Sequence, residues 1–431
     1  MARSRQYAPL QVLLDNRLVG KLVKDSGGAI AFQYDPSWLD WGDAVPISLS
    51  LPLREDAHRG LPVTAVFENL LPDAEALRRR VAEKVGAKGT DAYSLLSVIG
   101  RDCVGALRFI PEGMAADPVS GIQGEMIGER EIEKLLNNLV RAPLGLDRDQ
   151  GFRISVAGAQ EKTALLWHEG KWLKPHGATP TTHIIKTQIG SLPNGIDLSN
   201  SVENEFYCLK LLAGFGLPVN TAAMVRFGAT KALVVERFDR KWQAGSLHRL
   251  PQEDFCQALG CPPSLKYQTE GGPGMVDILN LLKASDTPAA NQKTFLKAQI
   301  LFWLTGATDG HAKNFSIYLG PGGRFCLTPF YDVLTAQPSV ANRQIERKQL
   351  RLAMSVGDNR HYKLDEIEGR HFIQTATRAG LPGALAEEAL TEIDLAANRA
   401  IEKLENELPQ GFPGEIHTAV KAAVTARRKK I

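Results

Sequence analysis

Two short apolar runs separated by a polar turn lie near the start of the chain, a pattern typical of β-strands. Residues 10–14 and 18–23 are mostly apolar and flank an Asp-Asn turn, which predicts a hairpin. Residues 74–85 follow a Pro-Asp pair suited to a helix start, and they predict a helix. Residues 102–110 predict a further strand. We therefore expect a strand-rich N-terminal subdomain over residues 1–115.

The middle of the chain predicts a small sheet with one helix. Residues 111–150 are rich in Gly, Pro and charge around one short helix, and we expect them to be a connector. Residues 200–213 carry apolar side chains at helical spacing after an N-cap candidate, Asn200. The expected strand and hairpin residues are 152–157, 162–167, 183–186, 222–230 and 233–239. This pattern predicts a second domain over residues 150–238.

The last part of the chain predicts helices around one hairpin. Residues 294–306 form an apolar run that is long enough for a buried helix but too short to span a bilayer, with Gly306 as its stop. Residues 315–319 and 324–328 flank a Gly-Pro-Gly-Gly turn and predict the hairpin. We expect a third, helical domain over residues 239–431 and an α+β fold for the whole chain.

Composition narrows the class of protein. The chain has 431 residues, 44% of them hydrophobic and 23% charged, which is ordinary for a soluble globular protein. Its net charge of +3 lies far below that of a protein that coats nucleic acid. The tail at residues 427–430 is basic, and we expect it to be solvated. Five cysteines without a C-x-x-C pair favour a reducing cytosol over a disulfide framework or a zinc site. No signal-like segment is present, so we expect a cytoplasmic protein without a membrane partner.

Candidate chemistry lies just after the predicted buried helix. Asp309 is followed five positions later by Asn314, and Asp332 lies beyond the predicted hairpin. Protein kinases use this order of residues: the first Asp orients or deprotonates the attacking hydroxyl, while the Asn and the second Asp hold Mg²⁺ against the phosphates of ATP. The motif alone is weak, because a capped loop between a helix and a hairpin explains it as well.

A lysine and a glutamate fit the same chemistry. Lys186 ends a predicted strand, where a kinase needs one cation for the α- and β-phosphates, and a helical glutamate positions that cation. In the helix at residues 200–213, Glu205 is the better partner for Lys186 and Glu203 the better cap. The alternative is that both glutamates are solvated at a helix start.

Two further segments fit ATP, each with a simpler alternative. The small residues around Gly158 would let backbone N–H groups approach phosphate oxygens, but an ordinary hairpin turn has the same composition. Residues 233–239 run from the predicted sheet into a loop, where kinases place the hinge that meets adenine. Phe238 would supply an apolar wall there, although a lone aromatic is more often plain core.

The order of these parts resembles one family: the HipA-like serine/threonine kinases, which are toxins of bacterial type II toxin–antitoxin pairs. Eight segments match in family order, and together they are far more specific than any one of them. The matching segments are residues 67–73, 155–162, 183–186, 236–239, 252–260, 308–316, 331–335 and 352–357.

The resemblance implies a protein-kinase-like two-lobe fold with an extra N-terminal subdomain and a helical C-lobe. It makes Asp309 the catalytic base, Asn314 and Asp332 the Mg²⁺ ligands, Ser155 a site of autophosphorylation and Glu205 the ion-pair partner of the phosphate-binding lysine. The implied ATP contacts are Val98, Val156, Ala157, Gly158, Ala159, Gln160, Glu161, Lys162, Lys186, Glu236, Arg237, Phe238, His311, Ala312, Lys313, Asn314, Tyr331 and Asp332.

The resemblance also implies partners. These are a helix-turn-helix antitoxin (HipB-like), operator DNA reached through that antitoxin, and a protein substrate related to translation, glutamate–tRNA ligase being the known type. The chain departs from other protein kinases at His311, where they have Lys, and it has Tyr-Asp-Val where they have Asp-Phe-Gly. Two alternatives remain open: a small-molecule phosphotransferase, and a catalytically silent kinase-fold module that binds an antitoxin and DNA.

Overall fold

The computed structural model describes residues 7–114, 121–146, 152–158 and 160–431, and the chain divides into two compact units. Unit 1 comprises residues up to 187, 225–264 and 317–325, and unit 2 comprises residues 188–224, 265–316 and 326–431. The strands are β1 (Leu10–Leu14), β2 (Arg17–Lys24), β3 (Ile30–Tyr34), β4 (His58–Arg59), β5 (Leu107–Pro111), β6 (Gly124–Met126), β7 (Lys162–His168), β8 (Lys171–Pro175), β9 (His183–Thr187), β10 (Gly190–Ser191), β11 (Asp197–Leu198), β12 (Ala222–Phe227), β13 (Thr230–Glu236), β14 (Arg240–Gln243), β15 (Ser246–Arg249), β16 (Gln252–Asp254), β17 (Ser316–Leu319), β18 (Phe325–Leu327), β19 (Arg351–Val356) and β20 (His361–Lys363).

The helices account for most of the remaining regular structure. They are α1 (Pro36–Leu39), α2 (Leu61–Glu68), α3 (Glu75–Val85), α4 (Ala92–Ile99), α5 (Glu129–Asn137), α6 (Ser201–Gly214), α7 (Phe255–Ala258), α8 (Met275–Leu282), α9 (Pro288–Thr305), α10 (Gln337–Ala341), α11 (Gly369–Arg378), α12 (Gly383–Glu407) and α13 (Gly414–Arg428). Among the described residues, no helix is both long enough and apolar enough to cross a membrane.

The N-terminal part of unit 1 is built on an antiparallel sheet with the strand order β4-β3-β2-β1-β5. The predicted hairpin is confirmed, because Leu10 of β1 pairs with Leu22 of β2. The sheet packs on α2 through a chain of aromatic contacts: Phe67 meets Phe32 and Phe109 at ring-centroid distances of 5.9 and 5.7 Å. Burial of these large rings stabilises the packing of the sheet on α2.

The second sheet of unit 1 has the strand order β12-β13-β9-β7-β8-β6 and carries the candidate phosphate-binding residues. Residues Ile132 and Leu136 of α5 pack on one face of it, against Leu165, Ile185 and Val234. The pairs β7–β9 and β9–β13 are antiparallel, which brings the start of β7, the end of β9 and the middle of β13 side by side. The strands predicted at 162–167 and 183–186 and the hairpin at 222–230 are confirmed.

Of two strand predictions in unit 1, the one at residues 152–157 is wrong and the one at residues 102–110 is right only in part. Residues 152–157, which we expected to be a strand, lie outside any ladder, because the Ser155 N–H bonds to the Asp102 carbonyl at 2.9 Å and not to a neighbouring strand. The strand expected at residues 102–110 begins only at Leu107. The residues before Leu107 are held by hydrogen bonds from side chains. One of these bonds runs from Arg237 Nη2 to the Cys103 carbonyl, at 2.8 Å.

Unit 2 is mainly helical and is centred on α9. The buried helix predicted at 294–306 is confirmed, and it begins earlier than expected, at Pro288, since proline at the first turn fits a helix start. α9 is buried on nearly all sides by α8, α12 and α13, and Trp303 Nε1 donates to the Leu364 carbonyl at 3.0 Å. The helix ends at Gly306, whose φ of 74° is left-handed and suits glycine.

The basic tail is less solvated than we expected. Arg427 is buried, and its Nη1 donates to the Leu304 carbonyl at 2.9 Å, at the end of α9. Arg428 contacts Asp394 and Asn398 of α12, the latter at 2.7 Å. Half of the basic run therefore ties α13 to its neighbouring helices.

Candidate functional site

Asp309 lies in the loop after α9, and the loop is fixed on both sides. A Cβ atom on Gly310 would lie 2.5 Å from Phe302 Cδ2, so this position approaches the helix as closely as only glycine allows. The carbonyl of Asp309 accepts hydrogen bonds from His311 N–H at 2.9 Å and from Asn314 Nδ2 at 2.7 Å. The backbone is therefore held while the Asp309 side chain stays 57% exposed, accessible to a substrate hydroxyl.

Tyr267, which the sequence analysis missed, contacts the candidate base directly. Its hydroxyl donates to Asp309 Oδ1, and its ring meets the ring of His311 edge to face at a centroid distance of 4.8 Å. His311 is buried, with Nε2 3.9 Å from the same oxygen. Tyr267 and His311 thus limit the rotation of the Asp309 carboxylate. No spacing rule links residue 267 to 309, so the sequence carried no signal for this contact.

Residues 312–314 form one tight turn that carries Ala312, Lys313 and Asn314. Asn314 N–H donates to the His311 carbonyl at 2.9 Å, and Ala312 N–H reaches the Lys266 carbonyl at 3.4 Å. Because the Asn314 amide nitrogen already donates to Asp309, its Oδ1 is the side-chain atom suited to a hard cation such as Mg²⁺.

Tyr331 and Asp332 follow the hairpin β17–β18 and lie in the same unit as Asp309. The Tyr331 hydroxyl bonds with Ser316 Oγ at 2.6 Å and donates to the Lys313 carbonyl at 3.2 Å, which returns the chain to the turn at 312–314. Asp332 has a φ of 57°, a left-handed conformation that strains a residue with a Cβ. Such strain often marks functional positions.

Hydrogen bonds to a residue shortly after Asp332 hold this part of the backbone in place. The side chain of Asn204 in α6 donates to the Thr335 carbonyl at 2.8 Å and accepts from Thr335 N–H at 2.9 Å. Thr335 Oγ1 in turn donates to the Thr305 carbonyl at 2.6 Å, at the end of α9. These contacts fix the segment that presents Asp332.

Lys186 lies near the end of β9 in unit 1 and is 7% exposed. It pairs with Lys162 of β7 and with Leu233 of β13, so the two lysines are neighbours in the sheet. Glu205 is 2% exposed and lies in unit 2, and its pairing with Lys186 stays a prediction. Glu203 is also buried, and its carboxylate accepts from Gln188 Nε2 at 2.6 Å at the start of α6, so neither glutamate is solvated.

The candidate phosphate loop, 157–162, is anchored at several points, while Ala159 lies outside the described residues. Gly158 has a φ of 105°, and a Cβ there would lie 2.4 Å from Lys162 Nζ. That Nζ atom donates to the carbonyl of Ala157. Gln160 Nε2 donates to the Thr187 carbonyl at 2.6 Å, and Glu161 pairs with Arg80 at 2.8 Å.

Ser155 is buried immediately before this loop, with no exposed surface. Its hydroxyl donates to the Leu70 carbonyl at 2.7 Å, and its N–H donates to the Asp102 carbonyl at 2.9 Å. Val156 is 3% exposed, and Val98 on α4 is half-buried. The segment at residues 67–73 therefore supports the loop, although sequence analysis gave it no role in the site.

The candidate hinge begins where β13 ends. Glu236 is exposed and pairs with His183 of β9, whose burial lowers the pKa of the imidazole to about 4 and keeps it neutral at pH 7. Phe238 is half-exposed, and its carbonyl accepts from the Tyr318 hydroxyl at 3.0 Å while the two rings meet edge to face. Tyr318 thereby fixes the direction of the hinge backbone.

Arg237 points away from solvent. Its guanidinium donates to both carboxylate oxygens of Asp239, at 2.9 and 2.7 Å, and to Thr181 Oγ1 at 2.9 Å. Its N–H donates to the Thr182 carbonyl at 2.8 Å. With these groups engaged, a nucleotide contact from Arg237 would come from its carbonyl oxygen.

The structure thus links the predicted site residues within each unit. In unit 2, hydrogen bonds join Asp309, His311, Lys313, Asn314 and Tyr331 in one loop cluster. In unit 1, the 157–162 loop, Lys186 and the hinge lie along the adjoining strands β7, β9 and β13. This arrangement supplies an exposed carboxylate, oxygen ligands, cations and small backbone loops, which are the groups that phosphoryl transfer needs.

Comparisons with known proteins agree with this chemistry. Residues 10–110 match the HipA N-terminal domain, and residues 154–401 match the HipA-like C-terminal domain. The chain is 35% identical over 403 residues to the putative kinase Y4mE of Sinorhizobium fredii, and the alignment covers 92% of each protein. It is 28% identical over 414 residues to the serine/threonine-protein kinase toxin HipA of Shewanella oneidensis, covering 93% of this chain and 90% of that one.

A solved structure extends the agreement to the fold. The chain matches HipA in the Shewanella oneidensis complex of HipA, HipB and operator DNA with a TM-score of 0.80 at 26% identity, over 97% of this chain and 96% of that chain. The predicted α+β, kinase-like fold is thereby confirmed. The match to the HipA-like C-terminal domain alone spans more than half of the sequence. The chain belongs to the family of HipA-like kinases.

Proposed function

We propose that this chain is an ATP- and Mg²⁺-dependent serine/threonine protein kinase that arrests bacterial growth from the cytosol. The observation that carries the proposal is the Asp309 loop, where an exposed carboxylate stands on a backbone fixed by Asn314. A general base must reach the proton of a substrate hydroxyl that arrives on another protein. Its exposure on a rigid loop suits that task.

In this proposal Asp309 accepts the proton of the substrate Ser or Thr hydroxyl. Asn314 Oδ1 and the carboxylate of Asp332 would hold Mg²⁺, since both are oxygen ligands and Asp332 is kept in a strained conformation by its neighbours. When bound, Mg²⁺ would offset the negative charge of the phosphates. Lys186 would bind the α- and β-phosphates, and Glu205 would orient it.

The nucleotide would lie along the edge formed by the loop and the hinge of unit 1. Gly158, with its positive φ, lets backbone N–H groups approach phosphate oxygens closely. Val98, Val156 and Phe238 would wall the adenine, and the backbone of residues 236–238 would meet its polar edge. The bond from Tyr318 to the Phe238 carbonyl supports this role, because it fixes one of those backbone groups.

Autophosphorylation at Ser155 would switch the kinase off. The Ser155 hydroxyl has no exposed surface and donates to the Leu70 carbonyl, so it must leave its pocket to be modified. A phosphate of about −2 charge could not return beside a carbonyl oxygen, and the loop that follows would stay displaced. Mass spectrometry after incubation with Mg-ATP should find phospho-Ser155 in the active protein and none in Asp309→Ala. An unmodified Ser155 in active protein would refute this part of the proposal.

The protein substrate would be a translation factor, such as glutamate–tRNA ligase. The partner would be a helix-turn-helix antitoxin that carries the kinase to operator DNA. The match to HipA in a complex with HipB and operator DNA supports the partner classes for this chain.

The decisive experiment incubates the purified chain with γ-labelled ATP, Mg²⁺ and bacterial lysate and then identifies the labelled molecule. Label on a translation factor supports the toxin kinase. Label on a small molecule would show a small-molecule phosphotransferase instead. If no molecule gains more label than with the Asp309→Ala control, the chain would be a catalytically silent binding module.

A further inference from the structure

A buried ionic cluster lies next to the hinge and contains residues from two separate chain segments of unit 1. Its carboxylates belong to Asp102 and Asp239, and its guanidinium groups belong to Arg237, Arg240 and Arg249. All five side chains are at most 7% exposed. Charges this deeply buried are tolerated only when their geometry satisfies nearly every polar atom, so the cluster is sensitive to the loss of one member.

Asp102 lies at the centre of the cluster. Its Oδ1 accepts from Arg240 Nη2 at 2.9 Å and from Arg249 Nε at 3.0 Å. Its Oδ2 accepts from the N–H and the hydroxyl of Thr181, at 3.0 and 2.7 Å, and from Arg237 Nη1 at 3.3 Å. Although burial opposes ionisation, the arginines hold the pKa of Asp102 well below its usual value, so it is charged at every physiological pH.

The contacts of Asp102 converge on the two strands that carry the nucleotide residues. Thr181 lies just before β9, the strand of Lys186, while Arg237 lies just after β13, at the hinge. Arg237 N–H also bonds to the carbonyl of Thr182, which joins the two strand ends directly. One carboxylate therefore sets where β9 begins and where β13 turns into the hinge.

The backbone around Asp102 reaches the phosphate side of the same site. Its carbonyl accepts from Ser155 N–H at 2.9 Å, just before the 157–162 loop. Three residues later, Gly105 N–H donates to Asp239 Oδ2 at 2.6 Å, next to Phe238. Residues 102–105 thus contact both the hinge and the start of the phosphate loop.

We infer that Asp102 is a positioning residue for nucleotide recognition, supplied by the N-terminal domain to the hinge of the kinase domain. It lies within the match to the HipA N-terminal domain, residues 10–110, and outside the C-terminal match, residues 154–401, which contains the other groups of the nucleotide site apart from Val98. The inference rests on the nucleotide site proposed above. It gives the N-terminal domain a part in selecting the nucleotide, exerted through the position of the hinge.

The test compares Asp102→Asn with Asp15→Asn in the full chain. Both variants remove one negative charge from an N-terminal residue near Arg249, but Asp15 is 3.8 Å from Arg249 and its other carboxylate oxygen contacts His248 of β15 at 3.2 Å. Calorimetry would measure the Kd of each variant for Mg-ATP and Mg-GTP, and label incorporation would give the rate at saturating ATP. These readouts separate misplacement of the hinge from a general loss of folded protein.

For Asp102→Asn we expect Mg-ATP binding to weaken about tenfold and the preference for ATP over GTP to shrink, with the rate at saturating ATP within about threefold of the parent. Asp15→Asn should leave both affinities within about twofold. A loss of rate with unchanged ATP affinity and unchanged ATP preference would overturn the inference, because that is the result of a purely structural role.

A second variant protects the test if Asp102→Asn fails to fold. Thr181→Val removes the hydroxyl between Asp102 and Arg237 and leaves every charge in place. It should weaken Mg-ATP by about threefold and shift the ATP-to-GTP ratio in the same direction. An unchanged ratio would overturn the inference. If the parent protein binds ATP without transferring phosphate, the proposed function fails, and the measured affinities still decide the role of Asp102. If the parent protein binds no nucleotide, the proposed function and the inference about Asp102 both fail.

Discussion

At the scale of single residues, Asp309 combines an exposed side chain with a fixed backbone. Its side chain is largely exposed, yet its backbone and one carboxylate oxygen are held by Asn314, Tyr267 and the His311 N–H. An exposed aspartate without such contacts would sample several rotamers. Preorganisation of this kind lowers the entropy lost when a substrate hydroxyl is aligned for attack.

Replacing either aspartate should abolish phosphoryl transfer, but for different reasons. Loss of the base in Asp309→Ala should reduce the rate by about 10²–10⁴-fold and leave Mg-ATP affinity nearly unchanged. Asp332→Ala should also weaken Mg-ATP, because it removes a metal ligand. Rates and nucleotide titrations on both variants, with circular dichroism to verify folding, would measure this. Parental activity in either variant would contradict the proposed roles.

The Tyr267→Phe variant should show how much the orientation of the Asp309 carboxylate contributes to the rate, because Asp309 itself is retained. Phenylalanine keeps the edge-to-face contact with His311 and removes only the hydroxyl that donates to Asp309. We expect the rate at saturating ATP to fall about tenfold, in line with the loss of one hydrogen bond to a charged group, and Mg-ATP affinity to stay the same. Tyr362→Phe, a half-buried tyrosine of β20, is the matched control. Equal rates in the two variants would exclude a role for the Tyr267 hydroxyl.

At the scale of elements, local patterns predicted those parts of the chain whose partners are close in sequence. The helix α9, the hairpin β1–β2 and the hairpin β17–β18 follow from periodicity and turn residues. The strand expected at 152–157 failed, because the hydrogen bonds of Ser155 go to Leu70 and Asp102, more than fifty residues away. Periodicity within a window cannot contain such partners.

The candidate site shows the same limit. The spacing of Asp309, Asn314 and Asp332 is a motif, so the sequence alone was enough to propose them as site residues, and the structure joins the first two by a hydrogen bond. Tyr267 and Asp102 were not proposed from the sequence, because their partners lie far away along the chain and no spacing rule describes such contacts. Their roles depend on the fold and become visible only in it.

Glu253 of β16, which contacts the segment at residues 48–50, should make the stability of the fold depend on pH. Burial raises the pKa of Glu253 to about 8 from an ordinary value of 4.5, while Leu49 N–H donates to its Oε1 at 2.8 Å. Between these pH values the folded protein keeps a proton that the unfolded chain has lost. Stability should therefore fall as pH rises from about 4.5 to 8.

Glu253→Gln should flatten this dependence, since the amide is uncharged throughout. Thermal unfolding at pH 5, 6, 7 and 8 would give the slope of Tm for the parent, for Glu253→Gln and for Glu55→Gln, an exposed control. The control should keep the slope of the parent. An equal slope in the parent and in Glu253→Gln would show that Glu253 does not govern it.

At the scale of the whole molecule, the two units interleave along the sequence. The chain leaves unit 1 at residue 187, returns at 225, and crosses again at 265, 317 and 326. Composition and periodicity do not show such crossings, because each segment looks like an ordinary helix or strand. The domain boundaries at 115, 150 and 238 remain predictions.

Expression of the chain alone should halt bacterial growth, and co-expression of a helix-turn-helix partner should restore it. The catalytic groups argued above would modify a translation factor, and Asp309→Ala, which removes the base, should grow normally. Growth curves of the parent and of this variant at matched expression would measure the effect. Unimpaired growth on strong expression of active protein would remove the toxin function while leaving the kinase activity intact.

Binding to operator DNA by this chain should depend on that partner. Nonspecific affinity for DNA grows with the number of phosphates that basic side chains neutralise, and a net charge of +3 supplies few. The C-terminal basic run offers fewer still, because Arg427 is buried and Arg428 is paired with Asp394. Gel shifts at about 150 mM salt should therefore show no retardation with the kinase alone and a supershift when the partner is present. Tight, sequence-specific binding by the chain alone would mean that it reads DNA through a surface that net charge does not reveal.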